Sequence, residues 1–476
     1  MDVSPALLIS FIVYSLAIVS VGLYSARQRK KTTDDFVLAN RELGPWAAAL
    51  SASASSESGW VMLGLVGAAF NLGMSAFWIV PGIAAGYLVN WFVLADRLRI
   101  DTRKSGAATL TQYLINRFGN SRMLRIISVV IITAAMLGYV AAQMNAAGKA
   151  FDAVFHLPYW IGVLVGAAII LAYTITGGFR AICWTDIVQA TFMMIALIGM
   201  PLVMLGKLGS YSAFTDRIMA DAPHLLSFSG DKVGLALVAF VIGYLGIGLG
   251  YPGQPHVLSR FMAAKDSPTV KKAAYISFGW MTVVYIGAVF FGLFARAYYG
   301  QLADPEQALP LACGELLPPV LAGFVVAAIV SAICSTADSQ LIVVSTTISR
   351  DVFGAKDITT DESKARLLKI DRLVLVGLGV VSVLFALTEN RVIFEFVLYA
   401  WAALGAGFGP VVILGLLWKK TNRTGAIAGM LTGLVVVIVW RNIPQLKAIV
   451  YELVPAFLLS MIVVVVVSIL TSKSED

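Results

Sequence analysis

The chain has 476 residues, 59% hydrophobic and 13% charged, with a net charge of +8. A soluble domain carries about 25% charged residues, so this composition excludes a soluble globule and describes a polytopic membrane protein. Its basic residues sit in short loops rather than in a nucleic-acid footprint. Cys183, Cys313 and Cys334, like His156, His224 and His256, are too scattered for a disulfide framework, a metal site or a nucleophilic triad, so no enzyme is expected.

Roughly 17–25 apolar residues cross a bilayer. Thirteen such spans are expected, at about 5–26, 44–70, 76–98, 121–148, 158–178, 183–206, 231–256, 273–298, 317–349, 371–388, 393–418, 424–441 and 447–471. Asp2 precedes the first and Arg27, Arg29, Lys30 and Lys31 follow it, the reverse of a secretory signal. It is therefore expected to be a retained span with its N-terminus outside. Threading from there places 27 of the 35 Lys and Arg on the cytoplasmic side, as the positive-inside rule requires, and leaves the C-terminus cytoplasmic.

The second span collapses at Ser51-Ala52-Ser53-Ala54-Ser55-Ser56-Glu57-Ser58-Gly59-Trp60 into small and hydroxyl residues around one carboxylate. Loosened backbone survives at membrane depth only where protein or a polar cavity satisfies it. An ionisable residue there is a functional candidate by default. Glu57 can pair with a base, pack as a protonated group or act in transport. At the sixth span, Trp184-Thr185-Asp186 offers another carboxylate, which either caps the helix or serves a site.

The seventh span is interrupted at Gly243-Tyr244-Leu245-Gly246-Ile247-Gly248-Leu249-Gly250-Tyr251-Pro252-Gly253-Gln254-Pro255. Glycine lowers helix stability and proline removes a backbone donor, although small residues also serve close helix packing. Tyr251, Gln254 and Pro255 at the end of this break are candidates to face a solute. Spans two and seven are five apart, and an odd offset reverses direction across the bilayer. Paired broken helices in inverted positions point to a transporter's binding site. Two inverted five-helix repeats are expected, at 44–206 and 231–418, with 1–43 and 424–476 peripheral, all in one transporter domain.

The ninth span carries Ser331, Cys334, Ser335, Thr336, Asp338, Ser339 and Gln340, then Ser345, Thr346 and Thr347. Sodium prefers oxygen ligands, by analogy with harder cations. Adjacent hydroxyls such as Ser335 and Thr336, with carbonyls freed by a broken helix, supply them. Hydroxyls in membrane helices also bond back to their own helix.

These residues resemble the sodium:solute symporter family, most closely the bacterial sodium/proline symporters. The likeness runs through Ser58-Gly59-Trp60, Thr176-Gly177-Gly178-Phe179 and Trp184-Thr185-Asp186. It continues through Gly248-Leu249-Gly250-Tyr251-Pro252-Gly253-Gln254-Pro255-His256, Arg260-Phe261-Met262-Ala263-Ala264, Ser335-Thr336 and Tyr399-Ala400-Trp401, and on to Gly425-Ala426-Ile427-Ala428-Gly429-Met430. It implies an all-α membrane protein of thirteen transmembrane helices with a LeuT-type five-plus-five inverted repeat. It implies one sodium site from the carbonyls of Ala54, Glu57 and Ala332 and the hydroxyls of Ser335 and Thr336. A second, found in some relatives, corresponds to Asp186, Ser335, Asp338 and Ser339. The proline positions correspond to Ser58, Gly59, Tyr139, Tyr251 and Pro255.

Four positions depart from the family pattern. Ser56 stands where the proline symporters carry a coupling aspartate, and the nearest acid is Glu57. One residue turns a helix by about 100°, so Glu57 replaces that aspartate only if the backbone is unwound. Ile247 stands for a tryptophan over the substrate, Ser339 for a cysteine, and Asp338 for a hydroxyl of the second ion site.

The expected protein is a secondary active symporter of the bacterial inner membrane that imports a small solute, proline or a related amino acid, with sodium. A monomer suffices for this, and the bilayer and the solute are its expected partners. The alternative is proton coupling through Glu57 or Asp338 with another zwitterion or organic acid. A solute sensor is disfavoured because no signalling domain follows the thirteenth span.

Overall fold

The computed structural model describes residues 4–27, 33–353, 361–388 and 392–472. Asp2, Arg29, Lys30, Lys31, Lys356, Arg391 and Lys473, which enter the charge asymmetry above, lie outside the described residues. Among the described residues the chain is all-helical, with one isolated bridge between Leu43 and Ala264. Eleven helices are long and apolar enough to cross a membrane.

Local chemistry sets where helices begin. Pro45 and Pro255 occupy the first turns of Pro45–Ser56 and Pro255–Ala263, where the missing N–H costs nothing. Asp266 caps Ser267–Tyr299 by accepting from the Thr269 N–H at 2.8 Å. Hydrogen bonds from Thr269 hold the Asp266 carboxyl below its usual range. Ser121, Ser210 and Asn422 cap other helices in the same way.

Two helices are interrupted where the sequence suggests. Pro45–Ser56 ends at Glu57 (φ −99°, ψ 77°), and the chain resumes as a π-helical turn, Trp60–Leu65, followed by Val66–Leu72. Gly234–Leu245 tightens into a 3-10 turn at Gly246–Gly253, passes through extended Gln254 and resumes as Pro255–Ala263. The glycines of the second break also serve packing. A Cβ on Gly248 would lie 1.9 Å from the Gly82 carbonyl oxygen, and one on Gly250 would lie 1.9 Å from Trp401 Nε1.

The sixth expected span starts earlier than its apolar run suggests. Tyr159–Leu208 runs on through hydrogen bonding but changes direction at Gly178 (φ 62°, ψ −170°). A side chain there would strike the Phe36 ring at 2.6 Å. Asp186 therefore sits about two turns inside the helix, which rules out its role as an N-terminal cap.

Two spans are buried far more deeply than the outer helices. The most apolar windows of Pro319–Val352 and Ile393–Leu417 are each 78% buried, against 33% for Pro5–Ser25, Arg423–Asn442 and Leu453–Thr471. Exposed Leu8, Ile9, Leu16, Leu458, Ile462 and Leu470 lie on those outer helices, as lipid-facing residues should. The first broken helix packs against the central pair and Ser267–Tyr299, and the second against the central pair.

Candidate functional site

The first helix break opens beside the ninth expected span. Ser335 Oγ donates to the Ala54 carbonyl at 2.9 Å and lies 3.2 Å from the Ala332 carbonyl. Thr336 Oγ1 reaches the same Ala54 carbonyl at 3.3 Å. All four residues are fully buried. Two carbonyls and two hydroxyls thus converge, a hard, neutral oxygen set of the kind a monovalent cation takes. No cluster of three or more His, Cys, Asp or Glu with metal-binding geometry occurs among the described residues.

Glu57 lies at the break itself, 1% exposed. One carboxylate oxygen accepts from Tyr251 (2.7 Å), Tyr87 (2.9 Å) and Ser56 (3.1 Å), and the other from Tyr285. Ile79–Leu88, Gly246–Gly253 and Ser267–Tyr299 each contribute one tyrosine. The carboxylate faces a small cavity walled by Trp60, Tyr139, Ile247, Tyr251, Tyr285 and Trp401. Tyr251 packs edge-on against Trp401, with ring centroids 4.8 Å apart.

Beyond one wall the protein opens. Ile247 and Leu398 line both this cavity and a vestibule of about 940 Å³ that also carries Lys232, Glu395, Arg441 and Lys447. Phe394 lines that vestibule and a second of about 1200 Å³, and it stacks on Trp60 at 5.5 Å. Glu306 pins this region. It accepts from Lys149 (2.7 Å) and from the N–H groups of Ile393 and Phe394 (3.0 and 2.9 Å).

A third polar cluster surrounds Arg260, which is fully buried. Its guanidinium reaches Asp186 Oδ2 (3.3 Å), Ser339 Oγ (2.6 Å), Ser51 Oγ (3.0 Å), Ser259 Oγ (3.2 Å) and the His256 carbonyl (2.8 Å). It also stacks over the Phe179 ring at 4.8 Å. Ser51 donates to Asp186 at 2.6 Å, and Ser55 meets Ser339 at 2.9 Å. Arginine, always charged and rich in donors, suits a buried ion pair.

Of the sequence candidates, Ser56, Glu57, Tyr139, Ile247 and Tyr251 line the cavity. Ala54, Ala332, Ser335 and Thr336 form the oxygen cluster. Ser58 and Gly59 do not line the cavity, although Glu57 and Trp60 on either side of them do. Gly59 N–H donates to Gln143 at 3.0 Å, and the Trp60 N–H donates to Ser58 Oγ at 3.0 Å. Gln254 turns away, donating to the carbonyls of Gly250 and Trp401. Pro255 lines a separate cavity of about 360 Å³ with Thr109, Phe179 and Thr346. Asp186 and Ser339 contact Arg260, and Asp338 follows through Ser339, whose Oγ donates to Asp338 Oδ1 at 3.1 Å. Tyr87, Tyr285 and Trp401 escape a sequence reading, because a lone aromatic in an apolar span is ordinary. The only available signal is that a buried tyrosine hydroxyl needs a partner.

Interrupted helices that meet over an oxygen cluster and a closed aromatic cavity define a secondary transporter. Residues 36–433 match the model of the sodium:solute symporter family. The high-affinity proline transporter PutP of Bacillus subtilis is 38% identical over 460 residues, covering 95% of this chain and 96% of that one. A sodium/proline symporter of Staphylococcus aureus is 36% identical, covering 97% and 92%. Among solved structures, a substrate-bound, outward-open Na+-coupled sialic acid symporter superposes with a TM-score of 0.83 at 19% identity, covering 99% and 98%. The nucleobase-cation symporter MHP1 superposes with a TM-score of 0.59 at 14% identity, covering 90% and 93%. The chain belongs to the sodium:solute symporter family and is a sodium-coupled transporter rather than an enzyme.

Proposed function

We propose that this protein imports proline or a closely related small amino acid together with one sodium ion, by alternating access. The observation that carries this reading is the meeting of Ser335 and Thr336 with the freed Ala54 carbonyl, directly beside the Glu57 cavity. The Glu57 carbonyl completes the proposed ion site. The substrate assignment rests on the proline transporters to which the chain is similar.

One ion per cycle follows from Arg260. Its fixed charge lies among Asp186 and Ser339, two of the residues a second sodium would need. A cation site already neutralised from within has little attraction for another ion.

The architecture that supports alternating access is thirteen passes in two inverted repeats, 44–206 and 231–418, flanked by 1–43 and 424–476. The eleven apolar helices become thirteen when Tyr159–Ala172 is counted and the chain is divided at Gly73 (φ 59°, ψ −138°). The first pass then runs inward from outside and the C-terminus is cytoplasmic, in a bacterial inner membrane. Both vestibules open on the outer side in this topology. Phe394 over Trp60, with Ile247 and Leu398, is the thin outer barrier that a solute passes to reach Glu57. A monomer contains every part of this route.

The test is uptake of labelled proline into proteoliposomes under imposed gradients. Inward sodium is expected to drive saturable accumulation, and a proton gradient without sodium is not. Uptake driven by protons alone, indifferent to sodium, removes the coupling proposed here.

A further inference from the structure

We infer that Glu57 receives the positively charged nitrogen of the transported solute, so that the site selects a small protonated or quaternary amine and does not require its carboxylate. This rests on the reading of the Glu57 cavity as the solute site.

Three other deeply buried carboxylates here have an internal cation within reach. Asp186 has Arg260, Glu306 has Lys149 at 2.7 Å, and Asp35 has Arg180 at 2.6 Å. The partners of Glu57 are four neutral hydroxyls, from Ser56, Tyr87, Tyr251 and Tyr285. Among the described residues no lysine, arginine or histidine lines its cavity. A buried carboxylate is costly unless it is paired, and the groups around Glu57 leave that pairing to the cargo.

The walls suit the same ligand. Trp60, Tyr139, Tyr251, Tyr285 and Trp401 surround the space with aromatic rings, whose faces attract ammonium groups. Trp60 Nε1–H is buried and meets no acceptor in the protein. It offers one neutral donor to the solute's other end. A solute carboxylate would find that donor but no basic side chain, so it is accommodated rather than demanded.

The experiment measures heat stabilisation of the purified full-length protein in sodium by four ligands. These are proline, prolinamide (cation, no carboxylate), N,N-dimethylproline (quaternary nitrogen) and N-acetylproline (neutral nitrogen). Ligands that bind the folded state raise its melting temperature. Proline, prolinamide and dimethylproline should bind within about tenfold of one another, and N-acetylproline should not bind. Glu57→Gln keeps the shape and removes the charge. It should weaken the three cationic ligands by about 30-fold or more, the scale of truncating a buried charge pair.

N-acetylproline binding as well as proline overturns the inference, as does proline affinity unchanged in Glu57→Gln. Binding of prolinamide without proline supports Glu57 and removes the proline assignment. Proline uptake that is sodium-driven but indifferent to Glu57→Gln does the reverse. No binding by any of the four removes both. The wild-type series involves no substitution, so the inference stays testable if Glu57→Gln does not fold.

Discussion

Hydroxyls in the middle of a membrane helix normally bond back one turn, and several here do so. Ser331 bonds to the Ala327 carbonyl, Thr346 to the Ile342 carbonyl and Thr185 to the Ile182 carbonyl. Ser335 and Thr336 differ because both also cross to the Ala54 carbonyl on another helix. Reaching one and the same backbone carbonyl across the helix interface marks this pair as the proposed ion ligands. Ser335→Ala or Thr336→Ala should therefore raise the sodium concentration for half-maximal uptake by about tenfold, the factor for ~1.4 kcal/mol of lost coordination. Folded yield should be unchanged, and identical sodium curves in both variants would remove the ion site. The Arg260 cluster behaves differently, since one partner's loss leaves the other charge buried. Arg260→Gln should cost about 3–5 kcal/mol of stability, and adding Asp186→Asn should recover part of it, read as melting temperature in detergent. The hydroxyl pair was legible from the sequence because adjacency and helix position are written in it. The tyrosine cage was not. Tyr87, Tyr251 and Tyr285 lie far apart in the chain and meet at Glu57 only through packing of three helices.

Both helix breaks were visible as runs of small residues, glycine and proline, because the physics that unwinds a membrane helix acts on local sequence. Two things about these elements were not visible. The sixth expected span starts at Gly178 rather than at the next apolar run, since a single positive-φ glycine turns the chain without any polar loop. The glycines of the second break are also contact points, which depends on what lies opposite them. Gly250 lies against Trp401, whose Nε1–H donates to the Ile247 carbonyl at 3.0 Å. Gly250→Ala would drive a methyl into that indole and displace a wall of the solute cavity. It should cost about 1–3 kcal/mol and abolish most uptake. Gly279, in the interior of Ser267–Tyr299, faces open space within 4 Å. Gly279→Ala should raise stability by about 0.5–1 kcal/mol through helix propensity and leave uptake intact. Equal effects of the two alanines on melting temperature and uptake would mean that the second break is not a packed hinge.

At the scale of the whole molecule, the charges determine what a transport cycle moves. Asp186 and Arg260 cancel, as do Glu306 and Lys149, and these pairs travel with the protein. Glu57, in the cavity proposed for the solute, meets no lysine, arginine or histidine among the residues that line it. With Glu57 ionised, a carrier loaded with one sodium and one zwitterion is neutral there, and the empty carrier returns with one negative charge. On the proposed one-sodium stoichiometry, each cycle brings one positive charge inward, whichever step crosses the field. The membrane potential contributes about 2.3 kcal/mol per charge per 100 mV, enough for more than tenfold accumulation before any sodium gradient is added. In proteoliposomes with equal sodium on both sides, a potassium diffusion potential set inside-negative by valinomycin should drive proline accumulation. Reversing its sign should abolish it. In Arg260→Gln/Asp186→Asn the same dependence should persist, because that change removes one charge of each sign. Uptake indifferent to the potential would mean that a compensating ion moves with each cycle, and the one-sodium stoichiometry would fall with it.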